Sequence, residues 1–161
     1  LGAARRRPRR QRKGRPGGKE KKVTETSLDD VTDDALVLAF DEGTLPPGEF
    51  HHRHHVRTVW LLFERHPSLE VLARFSAGLR RLAAAGGKPG LYHETITWAY
   101  VLLVNERRAE AGAESWTAFA ARNPDLLAWK PSVLETRYHG EETLWSDRAR
   151  ATFLLPDRPT A

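Results

Sequence analysis

The run Ile96-Thr97-Trp98-Ala99-Tyr100-Val101-Leu102-Leu103-Val104 constrains the fold more than any other stretch. Within a helix from about Tyr92 to Ala111 it is apolar on nearly every face, and such a helix has to be enclosed by other elements. The flanking segments supply helices for that purpose. Thr32 is a candidate N-cap, followed by Asp33 and Asp34 in the first turn and the apolar positions Ala35, Leu36, Leu38, Ala39 and Phe40, with Gly43 as terminator. After the rigid turn Thr44-Leu45-Pro46-Pro47-Gly48, a second helix is predicted from about His51 to Arg65, stopped by Pro67. Ser68 then opens a third helix through Ala85, with Leu69, Leu72, Phe75, Leu79 and Leu82 at helical spacing and Gly86-Gly87 as the break.

Beyond Gly112 the elements shorten. Ser115 caps Trp116–Ala121, a short helix covers Asp125–Trp129, another runs from Ser132 to Tyr138, and a last one covers about Glu142–Phe153. No segment alternates with period two between hairpin turns. The expectation is an all-α single compact bundle of about six to seven helices over 28–161, preceded by a disordered basic tail over 1–27.

Charge separates the same two parts. Residues 1–22 hold eleven Lys/Arg against Glu20, whereas the rest of the chain carries fifteen Lys/Arg and twenty Asp/Glu. The body is therefore mildly acidic, and the basic arm of residues 5–22 is the one segment suited to nucleic-acid phosphates. No aromatic residue interleaves with its charges to stack on bases. The absence of cysteine excludes disulfides, thiolate metal sites and cysteine nucleophiles, and fits a reducing cytoplasm. No apolar run approaches the roughly 20 residues of a membrane span. With no Met anywhere, the chain has either lost its start or includes translated leader ahead of it. Phosphate-loop, nucleophile-elbow and dinucleotide motifs are absent, leaving nucleotide-dependent and serine-nucleophile chemistry without support.

One cluster carries chemical potential. In Phe50-His51-His52-Arg53-His54-His55-Val56-Arg57, four of the seven histidines fall within five residues. On a helix, His52 and His55 share a face with Val59, Trp60 and Phe63, whereas His51 and His54 lie on a more polar neighbouring face and are expected to point outward. Antiparallel succession makes the second and fourth helices parallel, which brings Tyr92-His93-Glu94-Thr95 level with the inward pair. His52, His55 and His93 are thus candidate metal ligands, with Glu94 as a further ligand or catalytic base. These donors suit Fe, Mn, Ni or Zn, and a histidine/carboxylate site in a helical bundle fits non-haem oxygenase or oxidase chemistry on a small-molecule substrate. Thr95 and Thr97 are candidates for supporting hydrogen bonds, and Tyr138, Ser146, Asp147 and Arg150 for a pocket mouth. The competing reading is a non-catalytic binding protein whose histidines are structural.

Phe50-x-His52-x-x-His55-Val56-Arg57, Phe75-Ser76-Ala77-Gly78-Leu79-Arg80, Tyr92-His93-Glu94-Thr95-Ile96-Thr97 and Pro156-Asp157 together resemble a family of small, uncharacterised bacterial all-α proteins. The resemblance spans about Asp30 to Asp157. It implies that His52, His55 and His93 are the recurring histidines and that His51 and His54 are replaceable. It implies no activity.

Overall fold

A computed structural model describes residues 27–158. Every regular element among them is helical, as expected; the one strand-like pairing is an isolated bridge between Trp129 and Ser132. Apart from Ser27, the basic tail and its nucleic-acid segment at residues 5–22 lie outside the described residues. No helix among the described residues is long and apolar enough to cross a membrane.

Helix α1 spans Asp33–Glu42, with Thr32 Oγ1 accepting the Ala35 N–H at 3.3 Å and Gly43 ending it at φ 71°. This left-handed conformation is one that glycine adopts without steric cost. Helix α2 (His52–Phe63) follows, then α3 (Ser68–Ala85) and, after a short 3₁₀ turn at Pro89–Leu91, α4 (Glu94–Ala111). Ser68 is the first residue of α3 rather than its cap, and its hydroxyl reaches Asn105 on α4 at 3.4 Å. Helix α4 packs against α2 and α3, the arrangement its apolar sequence requires, although Leu102 remains 48% exposed.

Close contact between α1 and α3 depends on Gly78. The Phe40 ring lies so close over Gly78 that a Cβ there would sit 2.2 Å from Phe40 Cζ. Phe40 also stacks on Phe75 at 5.5 Å and tilts against Phe50 at 5.7 Å. This aromatic group joins α1, α3 and the start of α2 in one core.

The C-terminal third wraps the far side of α4. It comprises α5 (Trp116–Arg122), α6 (Pro124–Leu127), a π turn at Leu134–Tyr138, α7 (Glu141–Leu144) and α8 (Asp147–Ala151). The buried Asn123 holds the α5–α6 corner: its amide donates to the Phe119 carbonyl at 2.9 Å, and its oxygen accepts from Arg107 of α4 at 2.8 Å. A single helix over Glu142–Phe153 does not form. Ser146 instead donates to the Thr143 carbonyl at 2.7 Å and caps Ala149 N–H at 3.1 Å, so one helix ends and another starts at the same residue. The exit segment is tied to α4 by Thr95 Oγ1, which donates to the Thr152 carbonyl (2.9 Å) and accepts the Leu154 N–H (3.0 Å).

Candidate functional site

Helices α2 and α4, with α3 beside them, line a cavity of about 750 Å³ whose walls include His52, His55 and His93. The three candidate ligands therefore line one cavity. Aliphatic and aromatic side chains form most of the wall, among them Val59, Phe75, Leu79, Ile96 and Tyr100. Trp129 and Trp145 complete it from the loop after α6 and the α7–α8 junction, their rings edge to face at 6.4 Å. Such a predominantly apolar, concave space with a few polar atoms is characteristic of small-molecule sites.

The two α2 histidines are oriented by backbone carbonyls. His52 Nε2 donates to the Leu126 carbonyl at 2.8 Å, and His55 Nε2 donates to the Phe50 carbonyl at 3.1 Å. A carbonyl only accepts, so Nε2 must carry the proton and the lone pair of each neutral ring is left on Nδ1. No described residue donates to either Nδ1. The rings are 6.4 Å apart, and His52 also packs on Tyr100 at 4.7 Å and on Trp129 at 5.2 Å. Burial among these groups lowers the His52 pKa against the opposing pull of the Leu126 bond. Burial, reinforced by neighbouring His52, pushes His55 down to about 3. Both rings are neutral at ordinary pH.

His93 is placed differently. It is the N-cap of α4 rather than a residue inside it, with Nδ1 accepting the Ile96 N–H at 3.3 Å. Its Nε2 donates to the Leu144 carbonyl at 2.8 Å. Both ring nitrogens are therefore engaged within the fold, and burial holds the ring neutral by lowering its pKa. As folded, the three imidazoles do not offer three lone pairs to one point, and no group of three or more His, Asp or Glu among the described residues is arranged to hold a metal ion. Glu94 turns to Arg80, whose Nη2 donates to its carboxylate at 2.6 Å, and it is absent from the cavity wall.

His54 does not face outward. It is 5% exposed, with Nδ1 accepting the His51 N–H (3.0 Å) and Nε2 donating to Asp29 (3.2 Å). The cause is tertiary: α1 and the segment before it cover this side of α2, where Thr58 and Leu61 are buried too. Arg57 fastens the cover by donating to Asp33 and to the Val31 carbonyl at 2.9 Å. His51 is exposed as expected.

Of the polar candidates from the C-terminal segments, Arg150 lines the cavity, whereas Ser146 serves as the α8 cap. Thr97 is on the wall and Thr95 is the tie to the exit segment. Sequence reasoning overlooked the loop-borne walls, Trp129 and Trp145. Trp145 is held by Glu135, which accepts from its Nε1 (3.2 Å), from Lys130 (3.0 Å) and from the Ser132 N–H (2.9 Å), and Trp129 packs on the His52 ring. Burial raises the Glu135 pKa, but the Ser132 and Lys130 hydrogen bonds prevail and lower it to about 2. The Ser132-x-x-Glu135 spacing is a local capping signal that would have found this carboxylate. Buried His139, with Nδ1 unpartnered, was likewise not singled out.

Tyr92 and Tyr100 supply hydroxyls at the wall, each buried and without a hydrogen-bond partner of normal geometry. Burial pushes the Tyr100 pKa up, against a smaller opposing influence of Ser132, so the group stays a protonated donor. Comparison with protein-family models, curated proteins and solved structures finds no match to this chain.

Proposed function

We propose that the helical domain binds a small, largely apolar molecule in the cavity between α2, α3 and α4. The observation that carries this reading is an aromatic-walled space of about 750 Å³ that contains neutral hydrogen-bonding atoms. His52 and His55 offer acceptors at Nδ1, while the Tyr92 and Tyr100 hydroxyls offer donors. A ligand acceptor that met the Tyr92 or Tyr100 hydroxyl would satisfy an atom that is buried and unpaired among the described residues, which favours ligands bearing that atom over ones lacking it. Proton abstraction by His55 is disfavoured, because a base near pKa 3 is poorly matched to neutral pH. The role that fits best is binding.

Calorimetric titration of the full chain with decanol tests the reading. Saturable one-to-one binding in the parent, lost in Leu79→Trp where the larger ring fills the space from α3, is the expected result. Absence of saturable binding in the parent overturns it.

A second reading retains a divalent transition metal (Fe, Mn, Ni or Zn) and a metal-dependent reaction on a small substrate. It is favoured by one observation: Nδ1 of His52 and of His55, three residues apart on α2, have no hydrogen-bond partner among the described residues. His93 would join as third ligand only by giving up its bond to Ile96 N–H. Stoichiometric metal in purified protein, lost in His52→Ala and in His93→Ala, would support this reading, and a metal-free parent after Fe, Mn, Ni and Zn loading would remove it. The motif resemblance to a bacterial family stands as a proposal beside both readings.

A further inference from the structure

Among the described residues, the formally charged side chains that line the cavity are of one sign. Lys88 and Arg150 are, among the described residues, the Lys or Arg on its wall, and no Asp or Glu lies there. This contrasts with a chain that is net acidic outside its first 22 residues. Among the described residues most arginines are spent on ion pairs: Arg57 with Asp33, Arg65 with Asp34, Arg80 with Glu94, Arg107 with Asp125 and Arg122 with Glu114. Lys88 and Arg150 form no ion pair with a described residue.

They also belong to the same end of the cavity. Arg150 Nη1 donates to the Gly90 carbonyl at 3.0 Å, which ties the half-buried guanidinium to the turn that begins at Lys88. That bond uses one of five N–H donors and leaves the remainder of the fork for another acceptor. Arg150 lies near enough to His93 for its charge to disfavour imidazolium there. The rest of the wall is mostly apolar and includes Ile96, Phe75 and Val59. A cationic ligand would meet two like charges and no counter-charge.

We propose that the cavity takes an anionic amphiphile, a carboxylate on an apolar body, with the carboxylate held at Lys88 and Arg150 and the apolar body inside among the α2, α3 and α4 side chains. The inference rests on the small-molecule reading above and specifies its ligand class. A carboxylate at this end gains charge-assisted hydrogen bonds from the Arg150 fork and the Lys88 ammonium, and neither cation loses an existing carboxylate partner to form them.

The test compares decanoate with decanol, which share a chain length and differ in the head group, by calorimetry on the full chain. Decanoate is expected to bind about ten- to a hundredfold more tightly than decanol, the range for a hydrogen bond to a charged group. Lys88→Gln/Arg150→Gln should erase that preference, bringing decanoate affinity down to that of decanol. Arg150→Lys, which keeps the charge, should retain most of it and shows that loss in the double variant is not misfolding. Equal binding of the two probes by the parent overturns the inference and leaves the cavity reading standing. A preference that survives in the double variant also overturns it, because the carboxylate would then sit elsewhere. Failure of both probes to bind removes the cavity reading itself.

Discussion

His93 and Leu144 are joined by a buried hydrogen bond of 2.8 Å from imidazole Nε2 to the α7 carbonyl, while the same ring caps α4 through Nδ1. One side chain therefore starts the central helix and anchors the C-terminal layer over it. Removing it leaves an orphan helix N–H at Ile96 and an unpaired carbonyl at Leu144. His93→Ala should destabilise the fold by roughly 2–4 kcal/mol, the sum of a lost cap and a lost buried bond. His93→Asn, which can still cap, should cost about 1–2 kcal/mol less. Urea denaturation of the three proteins checks the order, and equal stability of His93→Ala and parent would refute the dual role.

Gly78 is set by contact rather than by backbone angle. An added methyl would meet the Phe40 ring at 2.2 Å, and that ring is packed between Phe50 and Phe75. Although alanine is the better helix former by about 1 kcal/mol, overpacking costs on the order of 1–3 kcal/mol. Gly78→Ala should therefore lower the thermal midpoint, and Gly78→Val should lower it further. A higher midpoint for Gly78→Ala would show that Phe40 has room to move.

The cavity histidines make stability depend on pH in a stated direction. His55 falls from the ordinary 6.5 to about 3 in the fold, and His52 and His93 are lowered as well. Between those values the unfolded chain binds more protons than the folded one, so folding is favoured fully above pH 6.5 and progressively lost towards pH 3. The slope per residue is at most about 1.4 kcal/mol per pH unit. His55→Gln, neutral throughout, should flatten the dependence of the denaturation midpoint between pH 6.5 and 4. An unchanged slope would mean that His55 titrates normally.

Glu135 contributes in the same direction at lower pH. Its carboxylate, lowered from 4.5 to about 2, stabilises the fold above pH 4.5 and loses that effect as pH falls through the interval. Glu135→Gln should shift acid unfolding to higher pH. It should also alter the emission of Trp145, whose indole N–H donates to this carboxylate at 3.2 Å. Identical acid unfolding in the two proteins would exclude the role.

Local sequence determined most of the helices, because their signals act within a few residues. Thr32 and Gly43 delimit α1, Gly86 ends α3 and Ser115 caps α5, each through a hydrogen bond or backbone angle that needs no distant partner. His52, His55 and His93 line one cavity, as helix succession suggested.

Three features depended on the tertiary structure. His54 is buried because α1 covers a second side of α2, and periodicity identifies a helix's faces without saying how many are covered. The lone pair of His93 is consumed by Ile96 because α4 begins at Glu94, two residues later than the expected start at Tyr92, and a boundary set by a side-chain cap is invisible to periodicity. Trp129 and Trp145 close the cavity from irregular segments, where no repeat indicates which way a side chain points. Trp145 is fixed by its hydrogen bond to Glu135 and its packing on His93, and Trp129 by its packing on the distant His52.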